Sequence, residues 1–171
     1  MAEADPVPTS FLSTIEAATA ADMKEKAHRL RSDYLDACAK LESELYALAI
    51  HLAVKCEMSA PIGQRIAAFR GATIADQKRK VRLNGLMDEL AHVSSCRAHI
   101  VHSSIHLVFD LSDKAILIQF RTVPHEKQLS YTIPLDEMTL LVRKVLQLAN
   151  RLKQFRTPPT PAAPVGTSAT A

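Results

Sequence analysis

The sequence predicts a mainly α-helical protein, an up-and-down bundle of four or five helices with a small antiparallel β insertion of two or three strands before the last helix. Three observations predict it. Glycine is scarce, at 4 of 171 residues, whereas the helix formers Ala, Leu, Lys, Arg and Glu are abundant. Apolar residues recur at three- and four-residue steps over most of the chain. Between about residues 105 and 133, short β-branched and aromatic runs are typical of strands instead.

The first long helix is predicted over residues 14–57, where Leu41, Leu45 and Leu48 follow helical spacing. Residues 17–31 have a weaker pattern, which fits either a separate helix or an exposed extension. Pro61 and Gly63 then interrupt the pattern, and a short helix through residues 65–69 is expected to end at Gly71.

A further helix is predicted from Thr73 or Ile74, with Thr73 as its N-cap. Strands are predicted at residues 105–109, 115–120 and 128–133, with a turn at residues 110–114. The last helix should run from residue 134 to about 155. Its acidic first turn and basic end complement the helix dipole.

One domain is expected, because 171 residues with 47% hydrophobic and 23% charged content suit a single core. We predict a disordered N-terminus at residues 1–9, a helical domain at residues 10–156 and a disordered Pro-, Thr- and Ala-rich tail at residues 157–171. The acidic start does not resemble a secretory signal, and no stretch has the roughly 20 apolar residues that span a bilayer. We therefore expect a cytoplasmic protein with no membrane partner.

The cysteines and the charge exclude some classes of protein. Cys38, Cys56 and Cys96 are odd in number and lack C-x-x-C spacing, which favours reduced, buried thiols over a disulfide framework or a zinc ribbon. A formal net charge of +3 is compatible with RNA but far below that of a dedicated charge-driven binder.

The candidate site is the run Ser95-Cys96-Arg97-Ala98-His99-Ile100-Val101-His102-Ser103. The planar guanidinium of Arg97 matches phosphate oxygens, and His102 can move a proton from a ribose 2′-hydroxyl or to the leaving 5′-oxygen. No metal is needed, because the 2′-hydroxyl is the nucleophile and arginine stabilises the charge at phosphorus. On a helix the two residues lie about 140° and about 7.5 Å apart, so they meet one ligand through a long arginine arm or in a two-fold dimer.

This helical stretch ends in Arg-x-x-Ile-Val-His-Ser and is followed by strands and one amphipathic helix, an order in which the chain resembles the HEPN superfamily over roughly residues 32–155. The resemblance implies a helical-bundle homodimer whose site lies at the dimer cleft. It implies a metal-independent endoribonuclease without a cofactor, with Arg97 and His102 as catalytic residues. A toxin or defence role is expected, with RNA as substrate and an antitoxin or another protein as partner.

Supporting residues are predicted around this pair. HEPN proteins commonly carry Asn, Asp or His after the arginine, where this chain has Ala98, so His99 is a candidate substitute. Ser103 and Glu44 are further candidates, and either Glu42 or Glu44 could orient a site residue. The basic residues Lys78, Arg79 and Arg82 are candidates for RNA contact beside the motif, with a solvated helix face as the alternative.

Other hypotheses remain open on the sequence alone. Arg97 could pair with Glu89 or Glu44, and His102 could be a hydrogen-bonded histidine beneath the strands. A metal site is a rival, because His92, His99 and His106 recur every seven residues near Cys96 and His102; it requires one helix to continue through residues 105–109. The protein could also be a non-catalytic HEPN-like module that binds RNA, nucleotide or protein, or a structural interaction protein.

Overall fold

The computed structural model describes residues 9–57, 59–110, 115–122 and 130–156. Within these residues the elements follow the order α1 (Thr9–His51), α2 (Ile62–Gly71), α3 (Gln77–Val101), β1 (Ser103–Asp110), β2 (Ala115–Thr122), β3 (Ser130–Pro134) and α4 (Leu135–Arg156). The predicted fold class is confirmed. The expected disordered ends lie outside the described residues, except Thr9, which begins α1, and most of the predicted turn at residues 110–114 also lies outside them.

Helix α1 is one continuous helix, so residues 17–31 do not form a separate element. It ends at His51 rather than at residue 57, because Ala53 adopts a left-handed backbone conformation with φ 50°. The amide of Val54 donates to the Ala49 carbonyl at 2.9 Å, and that of Ala53 donates to the Ile50 carbonyl at 3.2 Å. These bonds satisfy the last carbonyls in the manner of a Schellman motif. Glycine usually occupies the left-handed position, so an alanine there gave no sequence signal for the end of the helix.

Helix α3 begins four residues later than Thr73, which corrects the predicted N-cap. The cap is Asp76, whose Oδ1 accepts from the amides of Lys78 at 2.8 Å and Arg79 at 3.3 Å. A carboxylate at this position also complements the positive end of the helix dipole.

The three strands form one antiparallel sheet in the order β1-β2-β3. Ile105 pairs with Phe120, and Ile118 pairs with Ile133. Because side chains alternate along a strand, one face of the sheet presents these apolar residues to the helices. Phe120 and Ile118 are fully buried.

The helices lie alongside one another, with α4 parallel to α1 and α3 antiparallel to it. Glu44 of α1 pairs with Arg156 at the end of α4, and Leu30 and Thr139 line one groove nearer their beginnings, so α4 runs parallel to α1. Helix α3 runs antiparallel to α1, because Arg31 donates to the Val101 carbonyl at 2.6 Å whereas Arg79 lies 3.3 Å from His51 Nε2. The core contains buried residues of every helix and of the sheet, among them Tyr34, Leu45, Phe69, Leu83, Leu90, Ile118, Phe120, Met138, Val145 and Leu152.

Two further predictions concern the cysteines and the membrane. All three cysteines are free; Cys38 and Cys96 are buried, as expected, but Cys56 is only partly buried. No helix within the described residues is both long and apolar enough to cross a membrane.

Candidate functional site

The two motif residues lie at the C-terminal end of α3. Arg97 is in the last two turns with 41% of its side chain exposed, and His102 is the C-cap residue with φ −101° and ψ 12°. His102 is exposed, and its ring makes no hydrogen bond within the described part of the chain. The carbonyl of Val101, directly before it, accepts from Arg31. The last turn of α3 is therefore anchored by α1, directly before the exposed imidazole.

Arg97 is held by a carboxylate from α1. Its Nη1 donates to Oε1 of Glu42, and the same oxygen lies 3.8 Å from Nη2 of Arg65 on α2. Neither Glu89 nor Glu44 is the partner; they pair instead with Arg151 and Arg156. Of the two glutamates proposed to orient a site residue, Glu42 is the one that contacts it.

Arg65 is the buried member of this Arg65–Glu42–Arg97 cluster. Only 7% of its side chain is exposed, against 30% for Glu42, and its Nε has no acceptor among the described residues. Glu42 and Arg97 border a small pocket whose other lining side chains are mainly apolar, including Leu45, Ile62, Leu90 and Val93. Charges in such surroundings interact more strongly than in water, and an unpaired donor there is costly.

Cys38 borders the same pocket. Burial raises the pKa of its thiol, although the hydrogen bond with Tyr34 and the positive charge of Arg97 act in the opposite direction. The thiol therefore stays protonated near neutral pH and adds no negative charge to the cluster.

His99 contacts the inserted sheet. Its ring stacks on Tyr131, with centroids 5.5 Å apart and planes inclined by 18°, and the Tyr131 hydroxyl donates to Cys96 Sγ at 3.6 Å. Burial and this hydrogen bond raise the pKa of Tyr131 to about 12. His99 is thus positioned by β3, and its predicted supporting role is untested.

The remaining supporting candidates occupy different surroundings. Ser103 begins β1 directly after His102; it is 5% exposed, and its hydroxyl has no hydrogen-bond partner within the described residues. Glu44 binds Arg156 at the far end of α4, so it is not brought to the motif.

The basic run lies at the opposite end of α3 from the motif. Fifteen residues separate Arg82 from Arg97, which is about 22 Å along a helix. The prediction that the basic run lies beside the motif is therefore wrong within one protomer. Arg79 donates to the Phe155 carbonyl at 3.1 Å. The guanidinium groups of Arg79 and Arg82 also lie over the Phe155 ring, at 4.9 and 6.0 Å from its centroid respectively. These contacts stabilise the end of α4. Lys78 has an exposed side chain, and RNA contact by the three residues stays a prediction.

The metal hypothesis needed one helix from His92 to His106. That requirement is wrong, because α3 ends at Val101 and His106 lies in β1, with Nε2 3.0 Å from Ser104 Oγ. Within the described ranges, no group of three or more His, Cys, Asp or Glu side chains could hold a metal ion.

Sequence reasoning did not identify Arg65 or Tyr131 as neighbours of the motif. A hint was present for Arg65, which precedes Ile66 and lies four residues before Phe69, on the buried face of α2. An arginine on an apolar face needs an internal carboxylate partner.

Comparisons of the chain with protein-family models, curated proteins and solved structures found no match. The resemblance to the HEPN superfamily therefore rests on the Arg97–His102 motif and on the order of elements around it.

Proposed function

We propose that this protein is a HEPN-type, metal-independent endoribonuclease. The observation that supports it best is the end of α3, where the half-exposed Arg97 and the exposed His102 lie five residues apart and the imidazole lacks a competing partner among the described residues. Arg97 binds the scissile phosphate, and His102 transfers the proton. RNA is the substrate, and no cofactor takes part.

The chemistry needs no group outside RNA and these two side chains. The ribose 2′-hydroxyl attacks the adjacent phosphorus and gives its proton to His102, the bond from phosphorus to the 5′-oxygen breaks, and His102 passes that proton to the leaving 5′-oxygen. The products are a 2′,3′-cyclic phosphate and a 5′-hydroxyl end. Arginine stabilises the added negative charge on the phosphate oxygens, and histidine changes protonation in the working range of pH.

The test is RNA cleavage in EDTA by the wild type, Arg97→Ala and His102→Ala. Each substitution should lower the rate at least about 100-fold, the usual scale for removing an acid–base or charge-stabilising group. Arg151→Ala and His92→Ala are matched controls: Arg151 is 45% exposed in an ion pair with Glu89 at 2.5 Å, and His92 is exposed on α3 about 15 Å from His102. Undiminished cleavage by folded His102→Ala would refute the proposal.

A toxin or defence setting belongs to the same proposal, with an antitoxin or another protein as partner. Expression of wild type in a bacterial host should arrest growth, and His102→Ala should relieve the arrest. Normal growth of cells that contain active wild-type enzyme would argue against a toxin.

A non-catalytic RNA-binding module is the second candidate. Glu42 already occupies Arg97, and the exposed residue after it is Ala98, which offers no polar group. This alternative predicts RNA binding that depends on Arg97 without turnover. Cleavage in EDTA that is lost in both motif variants would exclude it.

A further inference from the structure

We propose that Glu42 exchanges partners: it holds Arg97 in the unliganded protein and moves to Arg65 when a phosphate group of RNA binds Arg97. Arg65 is then a positioning residue that receives the displaced carboxylate. The inference rests on the proposed function, because that function makes Arg97 the phosphate ligand.

The geometry shows one carboxylate oxygen between two guanidinium groups. Glu42 Oε1 accepts from Arg97 Nη1 and lies 3.8 Å from Arg65 Nη2. The second separation suits an ion pair but is too long for a hydrogen bond. Arg65 Nε has no acceptor within the described residues either. Among the described residues, the Nε–H of Arg65 thus has no acceptor while Glu42 is bound to Arg97.

Burial makes this shortage costly. With 7% of its side chain exposed, Arg65 cannot replace the missing bond at Nε with bulk water. If Glu42 leaves Arg97, its carboxylate can move closer to Arg65 and accept a hydrogen bond from that guanidinium. The gain at Arg65 offsets the loss at Arg97, so release of Arg97 costs less than breaking an isolated ion pair.

Exposure determines which arginine meets the ligand. Arg97 is 41% exposed and can reach a phosphate, whereas Arg65 is enclosed. Two arginines and one glutamate leave one positive charge in excess, which favours an incoming anion. A Glu42 that could not retreat would repel the phosphate.

The test is a double-mutant cycle on the affinity for a labelled, non-cleavable 2′-O-methyl RNA, measured by fluorescence anisotropy. Arg65→Met should weaken binding roughly tenfold, a change of about 1.4 kcal/mol. Glu42→Gln should strengthen binding, because the competing carboxylate is gone. In the Glu42→Gln background, Arg65→Met should have no further effect.

Matched controls are Arg70→Met, which removes an exposed arginine of α2 that pairs with Asp88, and Glu89→Gln, which removes the partner of Arg151. Both should bind as the wild type does. An equal loss from Arg65→Met in both Glu42 backgrounds would indicate a merely structural role and overturn the exchange alone. Undiminished binding by Arg97→Ala would overturn the exchange and the proposed function together.

A measurement on the wild type keeps the inference testable if Glu42→Gln does not fold. The guanidinium Nε–H resonance of Arg65, assigned by its loss in Arg65→Lys, should shift when the RNA is added, although Arg65 is too buried to contact it. An unchanged resonance at saturating RNA would overturn the exchange.

Discussion

Tyr131 joins the inserted sheet to the helix that carries the motif, through a ring contact with His99 and a hydrogen bond to Cys96. Burial, and then this bond, raise its pKa from 10.0 to about 12. Between these two pH values the folded protein keeps a proton that the unfolded chain loses. The free energy of unfolding should therefore fall as pH rises from about 10 to about 12.

Tyr131→Phe removes this ionisable hydroxyl. The free energy of unfolding of this variant should therefore fall less with rising pH than that of the wild type. The fall should not vanish, because burial also raises the pKa of Tyr34. Urea unfolding at pH 9, 10 and 11 checks the slope. Tyr46→Phe, at a half-exposed position of α1, should keep the wild-type slope. An identical slope in Tyr131→Phe would contradict the prediction.

The sequence identified the two motif residues from the chemistry of their side chains, but it left the partner of Arg97 open. Each of Glu42, Glu44 and Glu89 could pair with Arg97 under a different alignment of the helices. Their assignment to Arg97, Arg156 and Arg151 depends on how α1, α3 and α4 align. Local sequence does not contain that alignment.

At the scale of elements, α3 depends on the Asp76 cap, which accepts two backbone hydrogen bonds. Asp76→Ala should lower the free energy of unfolding by about 1 kcal/mol, the usual value for losing an N-cap acceptor. Thr73→Ala is the matched control, since Thr73 is exposed and precedes the helix, and it should cost almost nothing. Urea unfolding at neutral pH measures both. A greater loss from Thr73→Ala would contradict the observed cap.

The predicted elements agreed with the structure where a periodic pattern was long. Helix α4 has its apolar stripe, acidic first turn and basic last turn as predicted. The strands were expected over residues 105–133 and span 103–134. The helix ends were harder to predict, because the left-handed conformation of Ala53 and the capping by Asp76 instead of the predicted Thr73 depend on the backbone path rather than on residue type.

At the scale of the whole molecule, two basic regions lie near opposite ends of α3. Arg79 and Arg82 stabilise the end of α4, whereas Arg97 and Arg65 share Glu42 toward the other end. Sequence reasoning identified Arg79, Arg82 and Arg97 but not Arg65, because the position of Arg65 beside Glu42 follows from how α2 packs against α1.

The predicted homodimer has a sharp test in mixed protomers. An ideal helix would direct Arg97 and His102 about 140° apart, and His102 lies just past the end of α3, so we expect each site to combine Arg97 of one protomer with His102 of its partner across a two-fold axis. A dimer of one Arg97→Ala and one His102→Ala protomer then retains one intact site and one lacking both residues. Since random exchange makes about half the dimers mixed, roughly a quarter of wild-type cleavage should return when the two inactive variants are mixed.

Sedimentation should show a dimer at the assay concentration. If exchanged mixtures stay inactive, both residues of each site come from one protomer, and a monomer in sedimentation would refute the shared site.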